Sequence, residues 1–409
     1  MRFYDTASRR IRKFIPIRAN SVRIYSCGPS VYAPPHLGNF RTYVFEDVVK
    51  RALIFLGYKV HHIMNITDVE DKAVRAAKGS MSRMKKITNQ NETVFRRTAR
   101  ELNIMPADRY PKATENIDYM VRLIKKLLSK RLAYSEPNGD VYLDVSRFRD
   151  YGKFSRSRFN RGLDRKVTKD DYFQREAGDF LLWKAWGKSD GDIFWSTPLG
   201  KGRPGWHIEC SAMSARFLGV PFDIHEGGID NIFSHHENEI AQTRGATGKK
   251  PANYWIHVRH LLVEGKKMAK CLGNCYNVED IHRMGYGFDA IRAHLLSKHY
   301  RRQINFTFKG LHEAEKDLKR CRQCKAWLRV INSGTENKDV DRITNKTLDS
   351  FKMHISQDFD IPSAMDDFCV YVQKIRKLIK KKKFNRKNAE KAIAAMKLMD
   401  SVLGIRHSS

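Results

Sequence analysis

The chain has 409 residues; 77 are lysine or arginine and 45 are aspartate or glutamate, so its formal charge is +32. This length predicts two or three domains, and a hydrophobic fraction of 41% excludes wholesale disorder. The charge indicates a polyanionic partner, with nucleic acid favoured over anionic lipid.

The sequence has no signal for a membrane or for secretion. No apolar run approaches the roughly 20 residues that span a bilayer, and the first residues lack the apolar stretch of a secretory signal. Seven unevenly spaced cysteines are typical of a reducing compartment rather than of a disulfide framework. We therefore expect a soluble, cytoplasmic protein with no membrane partner.

The first third of the chain alternates strand-like and helix-like segments. Val22–Ser26 predicts a strand, Thr42–Leu56 is apolar at helical spacing, and Lys59–Met64 is β-prone. This order predicts a βαβ unit, and therefore a parallel sheet. Ligands of such sheets lie beyond the carboxyl ends of the strands, where Cys27–Pro29 and Asn65–Asp68 fall.

The pattern is less regular in residues 110–200. Asn116–Lys130 predicts a helix, Tyr134–Val145 predicts a hairpin with a Pro-Asn-Gly turn, and the basic segment Ser155–Lys169 predicts an exposed loop. The αβ pattern then resumes, and from about Leu311 onward only helical periods remain.

Two motifs have residue types that bind phosphate. His36, Gly38 and Asn39 lie at a strand-to-helix junction, where backbone N–H groups attract anions and a glycine allows close approach. Lys267 and Lys270 lie three residues apart in a loop between two glycines, and such lysines can close over a triphosphate. Taken alone, each motif is more simply explained by a surface turn or by an ordinary basic loop.

A third constellation has metal-binding residue types. His235 and Glu239 are four residues apart, so one helix face would present an imidazole and a carboxylate together. Thiolates from Cys27 and Cys210 would complete a four-ligand zinc site. The alternative for the His235–Glu239 pair alone is a surface hydrogen bond. The segment Cys321-Arg-Gln-Cys324 also has metal-like spacing, but it lacks a second pair, and we interpret it as structural.

Together and in this order, the motifs resemble cysteinyl-tRNA synthetase, a class I aminoacyl-tRNA synthetase. The resemblance runs from the first residues to about Leu403, and five segments carry it: residues 27–39, 65–72, 202–213, 235–242 and 267–270. It implies an α/β fold in which a Rossmann-like class I catalytic domain with an inserted connective segment is followed by an α-helical bundle.

The resemblance also implies how the chain divides. The catalytic domain would comprise residues 1–109 and 201–310, with the lysine loop in the second half. The connective segment would be residues 110–200, and a tRNA-binding helical bundle would follow in residues 311–409.

The resemblance implies a role for each motif. Zinc would be bound by Cys27, Cys210, His235 and Glu239. The amino acid would contact Thr67, Trp206, His225 and Asp230. ATP, supplied with Mg²⁺, would be bound by His36, Gly38, Asn39 and Lys270, and the catalytic residues would be His36, Asn39, Lys267 and Lys270. The expected reaction activates L-cysteine with ATP and transfers it to tRNA(Cys), and the family implies a monomer.

The chain departs from the family pattern at three positions and near its end. Ala269 and Cys271 replace the usual serines of the lysine loop, and Glu226 replaces a glycine, adding bulk and negative charge near the nucleotide pocket. Slower adenylation is expected, not its loss. The chain also stops close to where bacterial relatives begin a C-terminal anticodon-reading domain, so recognition would rest on the acceptor arm and the basic helices.

Two other functions were weighed. A tRNA-independent ligase, similar to the mycothiol cysteine ligases, would join activated cysteine to a small amine, but such an acceptor does not require a charge of +32. A non-catalytic RNA-binding paralogue would have lost metal or lysine-loop residues, and both sets are present.

Overall fold

The computed structural model describes residues 1–157, 166–167, 178–268, 273–381 and 384–405. The strands in this part of the chain are β1 (Arg2–Asp5), β2 (Arg10–Lys13), β3 (Ser21–Ser26), β4 (Lys59–Met64), β5 (Ala133–Ser135), β6 (Val141–Leu143), β7 (Lys166–Val167), β8 (Asp179–Ala185), β9 (Trp195–Thr197), β10 (Gly200–Pro204), β11 (Phe222–Gly228), β12 (Ala252–Val258), β13 (Leu261–Val263), β14 (Lys266–Lys267) and β15 (Ile304–Phe306).

The α-helices of the same residues are α1 (Leu37–Phe55), α2 (Asp71–Ala77), α3 (Met81–Glu101), α4 (Ile117–Ser129), α5 (Trp206–Leu218), α6 (His235–Thr247), α7 (Val278–Arg283), α8 (Phe288–Leu296), α9 (Phe308–Arg329), α10 (Lys338–Ser356), α11 (Ile361–Lys380) and α12 (Arg386–Leu403). None of these described helices is long and apolar enough to cross a membrane.

Four strands form a parallel sheet in the order β12–β11–β3–β4. Helix α1 connects β3 to β4, so the predicted βαβ unit is confirmed. Successive strand residues face opposite sides. Ile24 and Ile224 pack in the core with α1, whereas Tyr25 and Trp255 pack in the core that includes α5 and α6.

A second sheet, mostly antiparallel, lies between the two halves of the parallel sheet in sequence. Its strand order is β5–β6–β8–β10–β9, and β7 pairs with β8. The predicted hairpin is confirmed, since β5 and β6 are antiparallel and Gly139 at the turn has a φ of 92°. The predicted loop Ser155–Lys169 lies largely outside the described residues, and the limits of the inserted segment stay a prediction.

Four helices, α9 to α12, follow the last described strand, as the helical periods predict. They share a hydrophobic core with α1 and α8. Arg292 of α8 is fully buried; its guanidinium donates to Asp47 Oδ2 of α1 at 2.5 Å and to the Leu403 carbonyl of α12 at 2.8 Å. An unpaired buried charge is costly, so Arg292 requires both partners. Its hydrogen bonds therefore connect the end of α12 to α1, the helix that begins at the phosphate motif.

Candidate active site

Four predicted metal ligands meet at the carboxyl edge of the parallel sheet. Cys27 follows β3, Cys210 lies in α5, and His235 and Glu239 lie one turn apart in α6. One ligand atom from each lies within 4.8 Å of every other. The side chain of Cys27 is 9% exposed and the other three are fully buried. The predicted pairing on one helix face is confirmed, because His235 Nε2 lies 3.1 Å from Glu239 Oε1.

The electrostatics of this cluster favour a bound cation. Burial raises the pKa of Cys27, and so do the nearby Cys210 thiol and the Glu239 carboxylate. Burial likewise raises the pKa of Glu239. A divalent cation among these groups would reverse both shifts, since it stabilises the deprotonated forms that act as ligands. Two sulfurs, one nitrogen and one oxygen form a donor set that fits zinc.

A second combination of ligands shares two residues with the first. Cys27, His225, His236 and Glu239 also present ligand atoms within 4.8 Å of one another. His236 Nε2 lies 3.2 Å from Cys27 Sγ, and His225 Nε2 lies 2.9 Å from Glu239 Oε2. His236 was not among the ligands predicted from the sequence. Its spacing of three residues from Glu239 was the available signal.

Further buried groups orient these imidazoles. His207 Nδ1 lies 2.9 Å from His235 Nδ1, and His236 Nδ1 lies 2.8 Å from His257 Nε2. His257 Nδ1 in turn lies 2.8 Å from Thr6 Oγ1. Burial lowers the pKa of all four histidines, to about 3 for His207, so the rings are neutral. Each ring–ring contact therefore needs one donor and one acceptor, which ties the tautomers together.

The four residues expected around the amino acid lie in different settings. Trp206 stacks on His235 with ring centroids 3.8 Å apart, and His225 stacks on Trp255 at 4.4 Å. The Thr67 hydroxyl donates to Glu209 Oε2 at 3.0 Å, and Glu209 directly precedes Cys210 in the sequence. These three therefore contact the four candidate metal ligands or residues next to them. The Asp230 side chain is 63% exposed and pairs with His260 at 3.0 Å, so it lies at the rim.

The phosphate motif forms the start of α1. His36 caps the helix. Its ring Nδ1 accepts from the Asn39 backbone N–H at 3.3 Å, and its backbone N–H donates to Asn39 Oδ1 at 3.0 Å. Because Nδ1 is the acceptor, the ring proton of a neutral His36 is on Nε2, which can donate to a ligand. The Asn39 amide N–H₂ retains the same capacity, while its oxygen is used by the cap.

Met268, which precedes the undescribed part of the lysine loop, lies against this helix start. A Cβ added to Gly38 would lie 2.6 Å from Met268 Cε, so the methionine side chain would have to move aside. The Leu37 backbone N–H donates to the carbonyl of Tyr276 at 2.9 Å, and Tyr276 follows the lysine loop in the sequence. Lys267 is exposed on β14. Lys270, together with Ala269 and Cys271, lies outside the described residues.

Comparison with known proteins agrees with this geometry. Residues 13–316 match the family described as the tRNA synthetases class I (C) catalytic domain. A cysteine–tRNA ligase of Protochlamydia amoebophila is 39% identical over 409 residues, covering 99% of this chain and 86% of the relative. One of Chlamydia felis is 42% identical over 406 residues, covering 98% and 85%. This chain belongs to the cysteine–tRNA ligase family. That membership favours the synthetase hypothesis over the small-amine ligase.

Solved structures show the same fold at low identity. A Mycobacterium tuberculosis methionyl-tRNA synthetase in complex with methionyl-adenylate has a TM-score of 0.66 at 14% identity, covering 94% of this chain and 90% of that one. An Agrobacterium radiobacter K84 leucyl-tRNA synthetase (LeuRS) complexed with tRNA has a TM-score of 0.67 at 13% identity, covering 96% and 85%. The class I synthetase fold predicted from the sequence is confirmed.

Glu226, one of the departures from the cysteine–tRNA ligase pattern, lies in a buried environment on one face of the sheet. The Glu226 side chain is only 1% exposed, and it lies close enough to Glu46 of α1 to raise the pKa of that carboxyl group. Because strand residues alternate, Glu226 faces the opposite side of the sheet from His225. Ser26 Oγ donates to Glu226 Oε2 at 3.0 Å and lies 2.9 Å from His62 Nε2.

A second buried carboxyl group accompanies Glu226. Glu46 of α1 is buried, and neither of its carboxyl oxygens has a hydrogen-bond partner among the described residues. Burial raises the pKa of Glu226 to about 8, and burial together with Glu226 raises the pKa of Glu46. Both shifts favour the protonated form, so burial opposes the negative charge that was expected at Glu226. The effect of this residue on adenylation stays a prediction.

Proposed function

We propose that this chain activates L-cysteine with ATP to cysteinyl-adenylate and transfers the cysteinyl group to tRNA(Cys), and that it selects the thiol through one bound zinc ion. The observation that carries the proposal is the convergence of Cys27, Cys210, His235 and Glu239, whose ligand atoms lie within 4.8 Å of one another. Sulfur and imidazole ligands favour zinc over magnesium or calcium.

The zinc ion accounts for amino-acid selection. Serine and cysteine differ by one atom of similar size, and a pocket alone distinguishes such pairs by only about 1–3 kcal/mol. When bound, the thiophilic ion would take the substrate thiolate as an added ligand, whereas it would bind the neutral hydroxyl of serine only weakly. Trp206 holds the ring plane of His235 by stacking, and it forms an apolar wall beside the thiol position.

The chain's other site residues serve the adenylation step. The carboxylate of cysteine attacks the α-phosphate of ATP, and pyrophosphate leaves with its Mg²⁺. His36 Nε2–H, the Asn39 amide and the N-terminal N–H groups of α1 stabilise the phosphate charge. Lys267 and Lys270 neutralise the leaving pyrophosphate; Met268, the residue after Lys267, lies beside Gly38. Positioning and charge stabilisation carry the reaction, so no covalent protein nucleophile is needed.

The partners follow from the family and from the charge. A surplus of 32 positive charges suits the phosphates of tRNA. The proposed enzyme acts as a monomer in the cytoplasm.

The decisive experiment measures both half-reactions. ATP–pyrophosphate exchange should depend on cysteine and respond poorly to serine. Equal exchange with the two amino acids would contradict selection by the metal. In the second half-reaction, cysteine and ATP are supplied with either a tRNA(Cys) transcript or a glucosamine-type amine. Acylation of the transcript supports the proposal, and acylation of the amine alone would overturn it.

A salt titration tests the contact with tRNA separately. Because phosphate contacts release counterions, the affinity for the transcript should fall linearly on a logarithmic scale as salt rises. A flat dependence would contradict a phosphate-based interface.

A further inference from the structure

Three cysteines lie where α9 packs on α11, far in sequence from the catalytic residues. Cys321 and Cys324 are buried one turn apart on α9, and Cys369 is partly exposed on α11. The proposed reaction uses none of these thiols. The sequence analysis interpreted Cys321 and Cys324 as structural, and the tertiary structure adds Cys369 to them.

The register of the two helices brings Cys321 and Cys369 together. Cys324 Sγ lies 3.9 Å from the Val372 carbonyl, a pairing 48 positions apart in sequence. One turn later, the Arg376 guanidinium lies 5.0 Å from the centre of the Trp327 ring, at nearly the same offset. A constant offset means that the helices run parallel. One turn before Cys324 and Val372, the same offset places Cys321 opposite Cys369.

The proximity of the two thiols gives them unequal acidity. The contact with Cys321 lowers the pKa of Cys369, whereas the same contact and burial raise the pKa of Cys321. Cys369 is also the more exposed of the two. A partly exposed thiol of lowered pKa is the one that an oxidant attacks first, and a neighbouring thiol can then resolve the product.

We propose that Cys321 and Cys369 are a redox modification site that closes to a disulfide on exposure to a hydroperoxide. The Cys369 thiolate attacks one oxygen of hydrogen peroxide; an S–O bond forms, the O–O bond breaks, and the leaving hydroxide takes up a proton to give water. Cys321 then attacks the sulfenic sulfur; the S–S bond forms, the S–O bond breaks, and a second water leaves. Two thiols are oxidised by two electrons, and one peroxide is reduced to two waters.

The cross-link would stabilise the helical region reversibly. It closes a loop that contains all of α10, and restricting such a loop in the unfolded chain favours the folded state. A small dithiol reverses the modification by thiol–disulfide exchange. The inference is independent of the proposed catalytic function, since it concerns thiols on a different part of the fold.

To test the proposal, the full-length, zinc-loaded protein is treated with hydrogen peroxide. Free thiols are blocked with N-ethylmaleimide, and tryptic peptides are mapped by mass spectrometry without reduction. Cleavage after Arg322 separates Cys321 from Cys324, so the mapping assigns the pair. We expect a Cys321–Cys369 peptide that disappears on adding dithiothreitol. Oxidised protein should also unfold at a higher temperature than reduced protein.

Three variants complete the test. Cys369→Ser and Cys321→Ser should lose both the cross-linked peptide and the thermal shift, whereas Cys324→Ser, a buried change on the same helix, should keep both. The absence of the Cys321–Cys369 peptide from oxidised wild-type protein would overturn the proposal, and that readout needs no variant to fold. So would a disulfide that joins Cys321 to Cys324, or a thermal shift that persists in Cys369→Ser.

Discussion

The Nδ1 atoms of His207 and His235 lie 2.9 Å apart in the protein interior. Burial keeps both rings neutral, because it lowers the pKa of each. If His235 Nε2 binds zinc, that nitrogen has no proton, so the ring proton is on Nδ1 and His207 is the acceptor. His207 thereby fixes which nitrogen of His235 faces the metal.

We predict that His207→Ala weakens zinc binding by about 10- to 100-fold, the usual effect of removing a group that orients a ligand. His207→Asn should be milder, because the amide oxygen can still accept. Zinc affinity is measured by competition with a chromogenic chelator. His282→Ala, a change of an exposed histidine on α7, serves as the control. Equal affinity in His207→Ala and wild type would remove His207 from this role.

The two overlapping ligand sets make opposite predictions. If the first set binds zinc, Cys210→Ser should lower the zinc content of purified protein and His236→Ala should leave it nearly complete. The second set predicts the reverse, because it contains His236 and lacks Cys210. Metal analysis of the two variants, with Co²⁺ absorption to count thiolate ligands, decides between them. Unchanged zinc in Cys210→Ser would exclude that cysteine as a ligand.

Gly38 tests the contact between the helix start and the lysine loop. In Gly38→Ala the new methyl group would lie 2.6 Å from Met268 Cε and 3.1 Å from Cε1 of the capping His36, so both side chains must shift. Since small displacements of catalytic groups are costly, we expect ATP–pyrophosphate exchange to fall by roughly 10- to 100-fold. Adding Met268→Ala should restore part of the rate.

Gly187→Ala is the matched control for this pair, since its Cβ would have no neighbour closer than 3.7 Å. Identical losses with and without Met268→Ala would mean that the glycine acts in another way.

We expect the carboxyl group of Asp400 to make the stability of the folded protein depend on pH. Burial raises its pKa from 3.8 to about 7, despite the nearby cations Arg292, Arg51 and Lys325. The folded state therefore binds a proton that the unfolded state has lost, and stability falls as pH rises from about 4 to about 7. At about 1.4 kcal/mol per pKa unit, the loss is at most about 4 kcal/mol.

Asp400→Asn should consequently raise the unfolding temperature at pH 8 and change it little at pH 5, where the native carboxyl group is already protonated. Thermal unfolding at both values checks this. Asp339→Asn, an exposed change on α10, should show no such difference. A uniform effect of Asp400→Asn at both pH values would contradict the assigned protonation.

Local patterns predicted the elements of the fold well. The apolar spacing of α1 and the β-prone segments on either side are properties of short windows, so the βαβ unit and its parallel pairing could be derived without tertiary information. The start of α1 was missed by five residues, because its first turn contains the phosphate motif rather than apolar positions. The hairpin was predicted by its turn chemistry for the same local reason.

The site was predicted only as far as the motifs reach. The four candidate ligands were proposed from their residue types and from the family resemblance, because no spacing rule joins Cys27 to Cys210. These two residues are 183 positions apart in sequence, and their sulfur atoms lie 4.0 Å apart. The role of His236, the contact of His207 with His235, and the burial of Glu226 were all missed. The spacing of His236 from Glu239 was visible in the sequence. Its approach to Cys27, like the other two features, depends on how α5, α6 and the sheet pack.

The sequence by itself determined the charge, the order of helices and strands, and the family, because these depend on residue types and on spacing within a few turns. The tertiary structure decided which histidine nitrogens face Cys27 and Glu239, which side of the sheet receives Glu226, and that Cys369 lies opposite Cys321. The physical reason is that hydrogen bonds, desolvation and thiol chemistry act over a few ångströms. Groups distant in sequence come within that range only when the layers of the fold pack.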